Sequence, residues 1–198
     1  MAAAAHLRRL RENLQGPTTL GDLSARLGRE GIGLFAFVLS LPFLQPIPLA
    51  GLGTPVGIIL VAVGFQLALG RPTPWLPRFV SGRRLEAGTV DRLLGAAERL
   101  LTWVEKFARP RWSASARSPR AYGAAIAVLG LIFAVPVFVP LGNPITAAPL
   151  ALLGIAMLEE DGLIGALGLA GTGVTVAYHA AFARLIWSGA HAFAARFF

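Results

Sequence analysis

The sequence predicts an all-α integral membrane protein, and two observations lead to this fold class. The 198-residue chain is 55% hydrophobic and only 14% charged, whereas a soluble globular domain carries roughly 25% charged residues. No charged residue occurs in 31–70 or in 121–158. Each run is long enough for two passes of about 20 residues, or for a hairpin that enters the bilayer and returns. Beside its membrane part, the chain has room for no more than a small soluble cap.

The N-terminal segment, residues 1–30, is predicted to form cytoplasmic amphipathic helices. Leucines recur on one face of residues 2–14, and a Gly-Pro pair ends that helix. The stretch from Thr19 to Asp22 has the spacing of a capping box, so a second short helix is predicted to begin there. The arginines of this segment place it on the cytoplasmic side by the positive-inside rule.

Residues 31–70 form the first predicted membrane hairpin. Four prolines and two glycines interrupt its apolar run within "LPFLQPIPLAGLGTP", residues 41–55. The legs before Pro46 and after Pro55 have about fifteen residues each and reach about 22 Å, short of a hydrocarbon core of about 30 Å. These prolines and glycines therefore predict a turn between the two legs. Either the hairpin is re-entrant, or it makes two full passes with the turn at the far surface.

Residues 71–121 are polar and arginine-rich, and they form the predicted basic cytoplasmic segment. Apolar residues recur at three and four positions along 89–108, while six charged residues fill the other side. This pattern predicts an amphipathic helix that lies on the membrane surface. The net charge of +8 is concentrated beside the apolar runs. It therefore indicates topology and anionic lipid headgroups as partners rather than nucleic acid.

The second broken hairpin is predicted at 122–158, where prolines and "GNP" at 142–144 interrupt the apolar run. The acidic junction "EEDG" opens the last segment, 159–198, which contains the final transmembrane helix. Glycines cluster in "GALGLAGTG", residues 165–173. Glycine lets a neighbouring helix approach closely, so this face would suit a homodimer.

The two hairpins resemble each other. Pro42 and Pro46 have the same spacing as Pro136 and Pro140, and each hairpin continues as an apolar leg to a charged exit. This similarity indicates an internal repeat, and the sequence leaves open whether the repeat is inverted. Broken apolar segments in corresponding positions of two halves are a pointer to a transporter-type site.

Six polar residues near the ends of the apolar legs are the candidate residues of a substrate or ion pathway: Thr54, Gln66, Arg71, Asn143, Glu160 and Asp161. A lone amide in lipid is costly, so Gln66 should face protein or water. Arg71 would suit a phosphate or a sugar acid, or it is an interfacial arginine. Asp161 either binds a proton or cation or caps the last helix, and turn chemistry is the alternative role of Thr54 and Asn143.

The sequence does not favour an enzyme. It contains no cysteine, and so no thiolate nucleophile or Fe–S ligand. The three histidines, His6, His179 and His191, have no metal-ligand spacing, and His179 is interpreted as an interfacial packing residue. We expect no catalytic residue, no metal and no cofactor.

Several stretches resemble a known family. They are "TLGDL", "LPFLQPIPLAGLGTP", "FQLALGRPTPWLP" and "GNPITAAPLALLGIAMLEEDGLIGALG", which follow one another between residues 19 and 168. The ordered set resembles the ExoD family of bacterial exopolysaccharide-synthesis membrane proteins. The resemblance implies a multi-pass inner-membrane protein linked to exopolysaccharide production and to tolerance of alkaline conditions. It implies no settled biochemical activity.

The leading hypothesis is a small transport-type or channel-like inner-membrane protein that acts in exopolysaccharide production. The alternative is a non-catalytic accessory or scaffold protein, with other exopolysaccharide-synthesis proteins as partners. Transport predicts water-accessible polar residues at the proline-rich turns. The accessory role predicts that these turns are buried and dry.

Overall fold

The computed structural model describes residues 18–45, 51–71, 118–135 and 139–197, together with single residues within 8–12 and 82–106. In these ranges the chain is helical, as predicted, apart from one pair of two-residue strands. The elements are β1 (Thr18–Thr19), α1 (Leu20–Ser40), a 3₁₀ turn (Leu41–Leu44), α2 (Gly53–Ala68), β2 (Arg84–Leu85), α3 (Pro119–Ala134), α4 (Gly142–Glu159) and α5 (Gly162–Phe197).

Helix α1 begins at the predicted capping box. The backbone N–H of Asp22 donates to Thr19 Oγ1 at 3.1 Å, which satisfies one of the free donors of the first turn. Gly28, at φ 51° and ψ −128°, interrupts the helical backbone. This break separates an amphipathic first part from the apolar leg that follows, and these are the two elements that the sequence predicts there.

The apolar helices fall into two length classes. Helices α2 and α3 have 16 residues each, which corresponds to about 24 Å. Two stretches, Gly142–Glu159 and Gly162–Gly189, are long and apolar enough to cross a membrane. The second of them contains the predicted final transmembrane helix.

Helices α2 and α3 pack antiparallel with their backbones in contact. Gly57 faces Gly130, and Gly64 faces Gly123, so glycines seven residues apart on each helix meet across the seam. A methyl group built on Gly64 would lie 2.5 Å from the backbone nitrogen of Ala127. Only glycine allows the two helices to approach this closely.

Helices α1 and α4 form a second antiparallel pair. Gly33 and Gly154 lie opposite each other, and a methyl group built on Gly154 would lie 2.7 Å from the backbone nitrogen of Phe37. By contrast, α1 and α2 hardly touch. The two legs of the first predicted hairpin therefore find their main partners in the other half of the chain.

Helix α5 runs antiparallel along α4. Gly168 lies against Leu153, and Gly171 against Pro149. One turn further, the Thr175 hydroxyl donates to the backbone carbonyl of Ile145 at 2.9 Å. The first turns of α5 also cover α3, where Gly165 contacts the buried ring of Tyr122.

The two proline-rich breaks lie at the same end of the helix bundle. Gly53 approaches the backbone of Phe133, and the rings of Phe43 and Phe133 pack with centroids 4.8 Å apart. We call this end, residues 41–45, 51–54, 133–135 and 139–143, the turn end. The opposite end, residues 70–71, 118–122 and 159–162, is the arginine end, where Gly70 approaches Arg120.

Two arginine-rich segments meet in a short strand pair. Strand β1 pairs antiparallel with β2, with Thr18 opposite Leu85 and Thr19 opposite Arg84. Parts of the sequence predictions fall outside the described residues: most of helix 2–14, the connector 109–117, and the prolines at 46, 48 and 136. Of the predicted surface helix 89–108, the described positions 91, 95, 98, 99 and 102 have helical backbone.

Candidate functional site

A cavity of about 520 Å³ lies at the turn end, between the last turn of α3, the first turn of α4 and the middle of α5. Its lining is mostly apolar and contains three polar side chains. The lining residues are Leu131, Ile132, Phe133, Val135, Val139, Gly142, Asn143, Thr146, His179, Phe182, Ala183 and Ile186.

The imidazole of His179 has a defined orientation. Its Nδ1 lies 2.9 Å from the backbone carbonyl oxygen of Thr175. A carbonyl can only accept, so Nδ1 carries the hydrogen, and Nε2 is the acceptor of the neutral ring. Nε2 faces Gly142, where a built methyl group would lie 3.3 Å from it. Glycine at this position thus lets the imidazole reach the lining of the cavity.

The backbone beside the cavity is held in an uncommon conformation. Leu141, which precedes α4, is left-handed at φ 53°, a region that bulky residues rarely adopt. The Gly142 N–H donates to the Val139 carbonyl at 2.9 Å. The Tyr178 hydroxyl donates to the Pro140 carbonyl at 2.6 Å. Helix α5 therefore fixes the second break through a direct hydrogen bond.

The other polar side chains of the cavity lie on α4. Thr146 is 1% exposed, and its hydroxyl donates to the Gly142 carbonyl at 2.7 Å. Asn143 is half-buried and lies one turn earlier. Its amide can both donate and accept, so the cavity combines a carboxamide, a hydroxyl and an imidazole acceptor.

The structure does not gather the six predicted pathway residues into one site. Asn143 lines the cavity, and Thr54 lies at the turn end but outside the lining. The remaining four lie near the arginine end: half-buried Gln66, exposed Arg71, exposed Glu160 and buried Asp161. A full helix length separates them from the cavity.

Asp161 caps the last helix. Its side chain is 2% exposed, and its Oδ1 accepts from the backbone N–H groups of Leu163 at 3.0 Å and Ile164 at 3.2 Å. The capping interpretation of Asp161 is thus confirmed. Glu160, directly before it, is left-handed at φ 51° and ends α4.

Sequence reasoning assigned His179 to packing, and so it missed the imidazole of the cavity. A signal was present in the sequence. Thr172, Thr175 and His179 recur at three and four positions in an otherwise apolar helix, and this spacing puts them on one face. Thr172 and Thr175 are 8% and 0% exposed, so the polar stripe marks the buried side of α5. Among the described residues, no three acidic or histidine side chains form a metal-binding group.

The fold and the site define an all-helical protein with two candidate membrane helices and a mostly apolar cavity, which points to association with a membrane. The family described as "Exopolysaccharide synthesis, ExoD" matches residues 3–181. The chain belongs to this family, which confirms the resemblance and gives the protein a role in exopolysaccharide synthesis. The matched region contains Asn143, Thr146 and His179.

Two relatives show the same extent of similarity. Protein ExoD of Rhizobium meliloti is 28% identical over 161 residues, which cover 79% of this chain and 67% of that protein. An uncharacterized protein of Synechocystis sp. is 28% identical over 159 residues, which cover 78% of this chain and 74% of that protein. No solved structure matches the chain.

Proposed function

We propose that this protein is a transport-type protein of the bacterial inner membrane that acts in exopolysaccharide production, with the cavity as its binding site. The observation that carries the proposal is the cavity of about 520 Å³, within the range of about 300–1,000 Å³ typical of small-molecule sites. It places Asn143, Thr146 and His179 at a break in a long uncharged run. Irregular backbone at membrane depth is tolerated where it is buried in protein or lines a cavity.

The outer surface of the bundle supports several membrane passes. Large apolar side chains are exposed on three helices, including Ile58 and Phe65 on α2, Leu131 on α3, and Val174 and Leu185 on α5. Each of these is more than half exposed. Exposed apolar surface of this kind is typical of a membrane or protein contact, and lipid would cover all three helices at once.

The orientation follows from the arginine-rich segments, since the middle one leaves the bundle at Arg71 and rejoins it near Arg120, both at the arginine end. The pairing of β1 with β2 puts the N-terminal and the middle arginine-rich segments on the same side. The ion pair between Arg8 and Glu98, at 2.8 Å, links the same two segments. By the positive-inside rule this side is cytoplasmic, so the turn end and its cavity lie toward the opposite face.

The contacts between helices also support an internal repeat. Gly64 approaches the Gly123 carbonyl and the Ala127 nitrogen, while Gly154 approaches the Gly33 carbonyl and the Phe37 nitrogen. In these contacts, Gly33, Phe37 and Gly64 of the first half correspond to Gly123, Ala127 and Gly154, each 90 positions later. Phe43 and Phe133, whose rings pack against each other, are also 90 positions apart in the sequence.

The proline spacing in the sequence suggests that Pro42 corresponds to Pro136. The helix contacts suggest an offset of 90 positions, in which Pro46 corresponds to Pro136 instead. Both proline breaks lie at one end of the bundle, so the two halves run in the same direction. The repeat that we propose is therefore parallel rather than inverted.

The α2–α3 seam favours a binding site over a continuous pore. Gly57 and Gly64 bring the two backbones into direct contact with Gly123 and Gly130, which leaves no lumen between these helices. The cavity beside α5 is the space where a solute fits. We therefore favour a carrier over a channel.

The proposal is tested with the purified protein in liposomes, by measuring fluxes of protons, sodium and lipid-linked sugars. Asn143→Leu replaces the amide in the cavity lining with an apolar side chain. It should lower the flux at least about tenfold, because the polar groups of the solute then lose their partner. Thr54→Leu is the matched control, because it lies at the other break and does not line the cavity. No flux of any of the three solutes, or equal flux for both variants, would refute transport.

The accessory role is favoured by one observation. Only 22% of an 18-residue apolar part of Gly162–Gly189 is buried, and Leu185, Ile186 and Trp187 are all more than half exposed on α5. A second protein, or a second copy of this chain, would cover that face. In this case cells carrying Asn143→Leu keep normal exopolysaccharide output, while Leu185→Glu abolishes it.

A further inference from the structure

We propose that the ligand of the cavity is a neutral glycolipid-type amphiphile, whose apolar chain occupies the mouth of the cavity and whose hydroxyl-bearing head contacts Asn143 and His179. The inference rests on the proposed function in one respect: it takes the cavity as the binding site. It adds the substrate class.

The mouth of the cavity is apolar and lies on the outer surface. Leu131, Val135 and Ile186 line the cavity and are 58%, 49% and 51% exposed. These side chains belong to the same exposed apolar surface of α3 and α5 that lipid would cover. A ligand therefore enters sideways from the apolar phase, and the part of it that stays in the mouth must itself be apolar.

The polar groups of the cavity select a head group that donates hydrogen bonds. With Nδ1 bonded to the Thr175 carbonyl, His179 offers Nε2 as an acceptor. The Asn143 amide offers both a donor and an acceptor. A sugar hydroxyl matches this set because it donates and accepts, whereas an ionised phosphate only accepts.

The uncharged lining of the cavity also favours a neutral head group. No arginine, lysine, aspartate or glutamate is among the residues that line this cavity in the described part of the chain. A charged head group would therefore lose its hydration without gaining a counter-charge, which is costly in an apolar site. A neutral sugar loses less, since its hydroxyls find partners.

The test uses the full-length protein in phosphatidylcholine nanodiscs and a photoreactive alkyl glucoside with a diazirine in its chain. After irradiation, mass spectrometry should locate the label on peptides that contain 131–135 and 182–186. Two probes with the same chain carry a phosphate or a trimethylammonium head. Each should label these peptides at least about fivefold less, which corresponds to the loss of about one net hydrogen bond.

Two exposed positions on α5 provide matched variants that do not disturb the core. Ile186→Trp narrows the mouth and should lower labelling at least about fivefold. Val174→Trp makes the same change at a position that is 65% exposed and lies outside the lining, and labelling should stay at the wild-type level. His179→Phe keeps a ring but removes the acceptor, and it should weaken labelling about fivefold.

The inference is overturned if the phosphate or trimethylammonium probe labels as strongly as the glucoside, or if Ile186→Trp leaves labelling unchanged. Competition by free glucose at concentrations where the alkyl glucoside competes would also overturn it, because the chain would then contribute nothing. Labelling as expected without any flux in liposomes refutes transport and leaves the glycolipid site standing. Flux without specific labelling refutes the glycolipid site alone.

Discussion

Replacing Gly64 with alanine should force α2 and α3 apart. The added methyl group would lie 2.5 Å from the Ala127 nitrogen, 2.7 Å from the Gly123 carbonyl oxygen and 3.0 Å from the Ala127 Cα. All three atoms belong to the backbone of α3, so no side-chain rotation can relieve the contact. One helix has to move away from the other.

The free energy of unfolding should fall by about 2 kcal/mol. Overpacking of a well-packed core costs about 1–3 kcal/mol, and the upper value applies here because the clash is with backbone. Alanine is better than glycine in a helix by about 1 kcal/mol, which offsets part of the loss. At about 2–4 °C per kcal/mol for a chain of this length, the melting temperature should drop by about 4–8 °C.

The assay is thermal unfolding followed by circular dichroism, with all proteins in the same detergent. Gly173→Ala is the matched control, since a methyl group built there meets nothing within 4 Å. It should leave the melting temperature unchanged or raise it slightly through helix propensity. If Gly64→Ala melts at the same temperature as Gly173→Ala, the backbones of α2 and α3 are not in contact and the seam is wrong.

Three further predictions concern the cap, the topology and the second break. Asp161→Ala should destabilise the protein by about 0.5–2 kcal/mol, while Asp161→Asn, which still caps, should unfold like the wild type. Lost exopolysaccharide output in a stable Asp161→Asn variant would show that the charge itself is needed. Single cysteines at Ser24 and Ser115 in this cysteine-free chain should react with an impermeant thiol reagent from the cytoplasmic face only, and labelling from opposite faces would contradict the shared side. Tyr178→Phe removes the bond to Pro140 and should cost about 1 kcal/mol in chemical unfolding; an unchanged midpoint would mean that α5 does not hold this break.

Local signals predicted most of the elements. The Thr19 side chain caps α1 where the capping-box spacing puts it, and Asp161 caps α5. Helix α2, with 16 residues, is close in length to the leg of about fifteen residues that the sequence predicts after Pro55. These features succeed because a cap or a proline acts on its own turn of backbone and needs no knowledge of distant contacts.

The pairing of the helices could not be predicted in the same way. A helix that is apolar all round, such as α4, presents no face that marks its partner. The glycines at 57, 64, 123 and 130 carry the α2–α3 contact, yet glycine is common in membrane helices, so a spacing of seven does not identify a seam by itself. The cavity depends on this pairing, and for that reason only Asn143 of the six predicted pathway residues lines it.

The polar groups of the cavity come from two helices that meet at the second proline break. At the first break, the 3₁₀ turn packs Phe43 against Phe133. At the second break, α5 packs against α4 and the loop before it. Its Tyr178 bonds to the loop, and its His179 reaches Gly142. The site therefore combines Asn143 and Thr146 of α4 with His179 of α5, so it depends on the packing of these two helices.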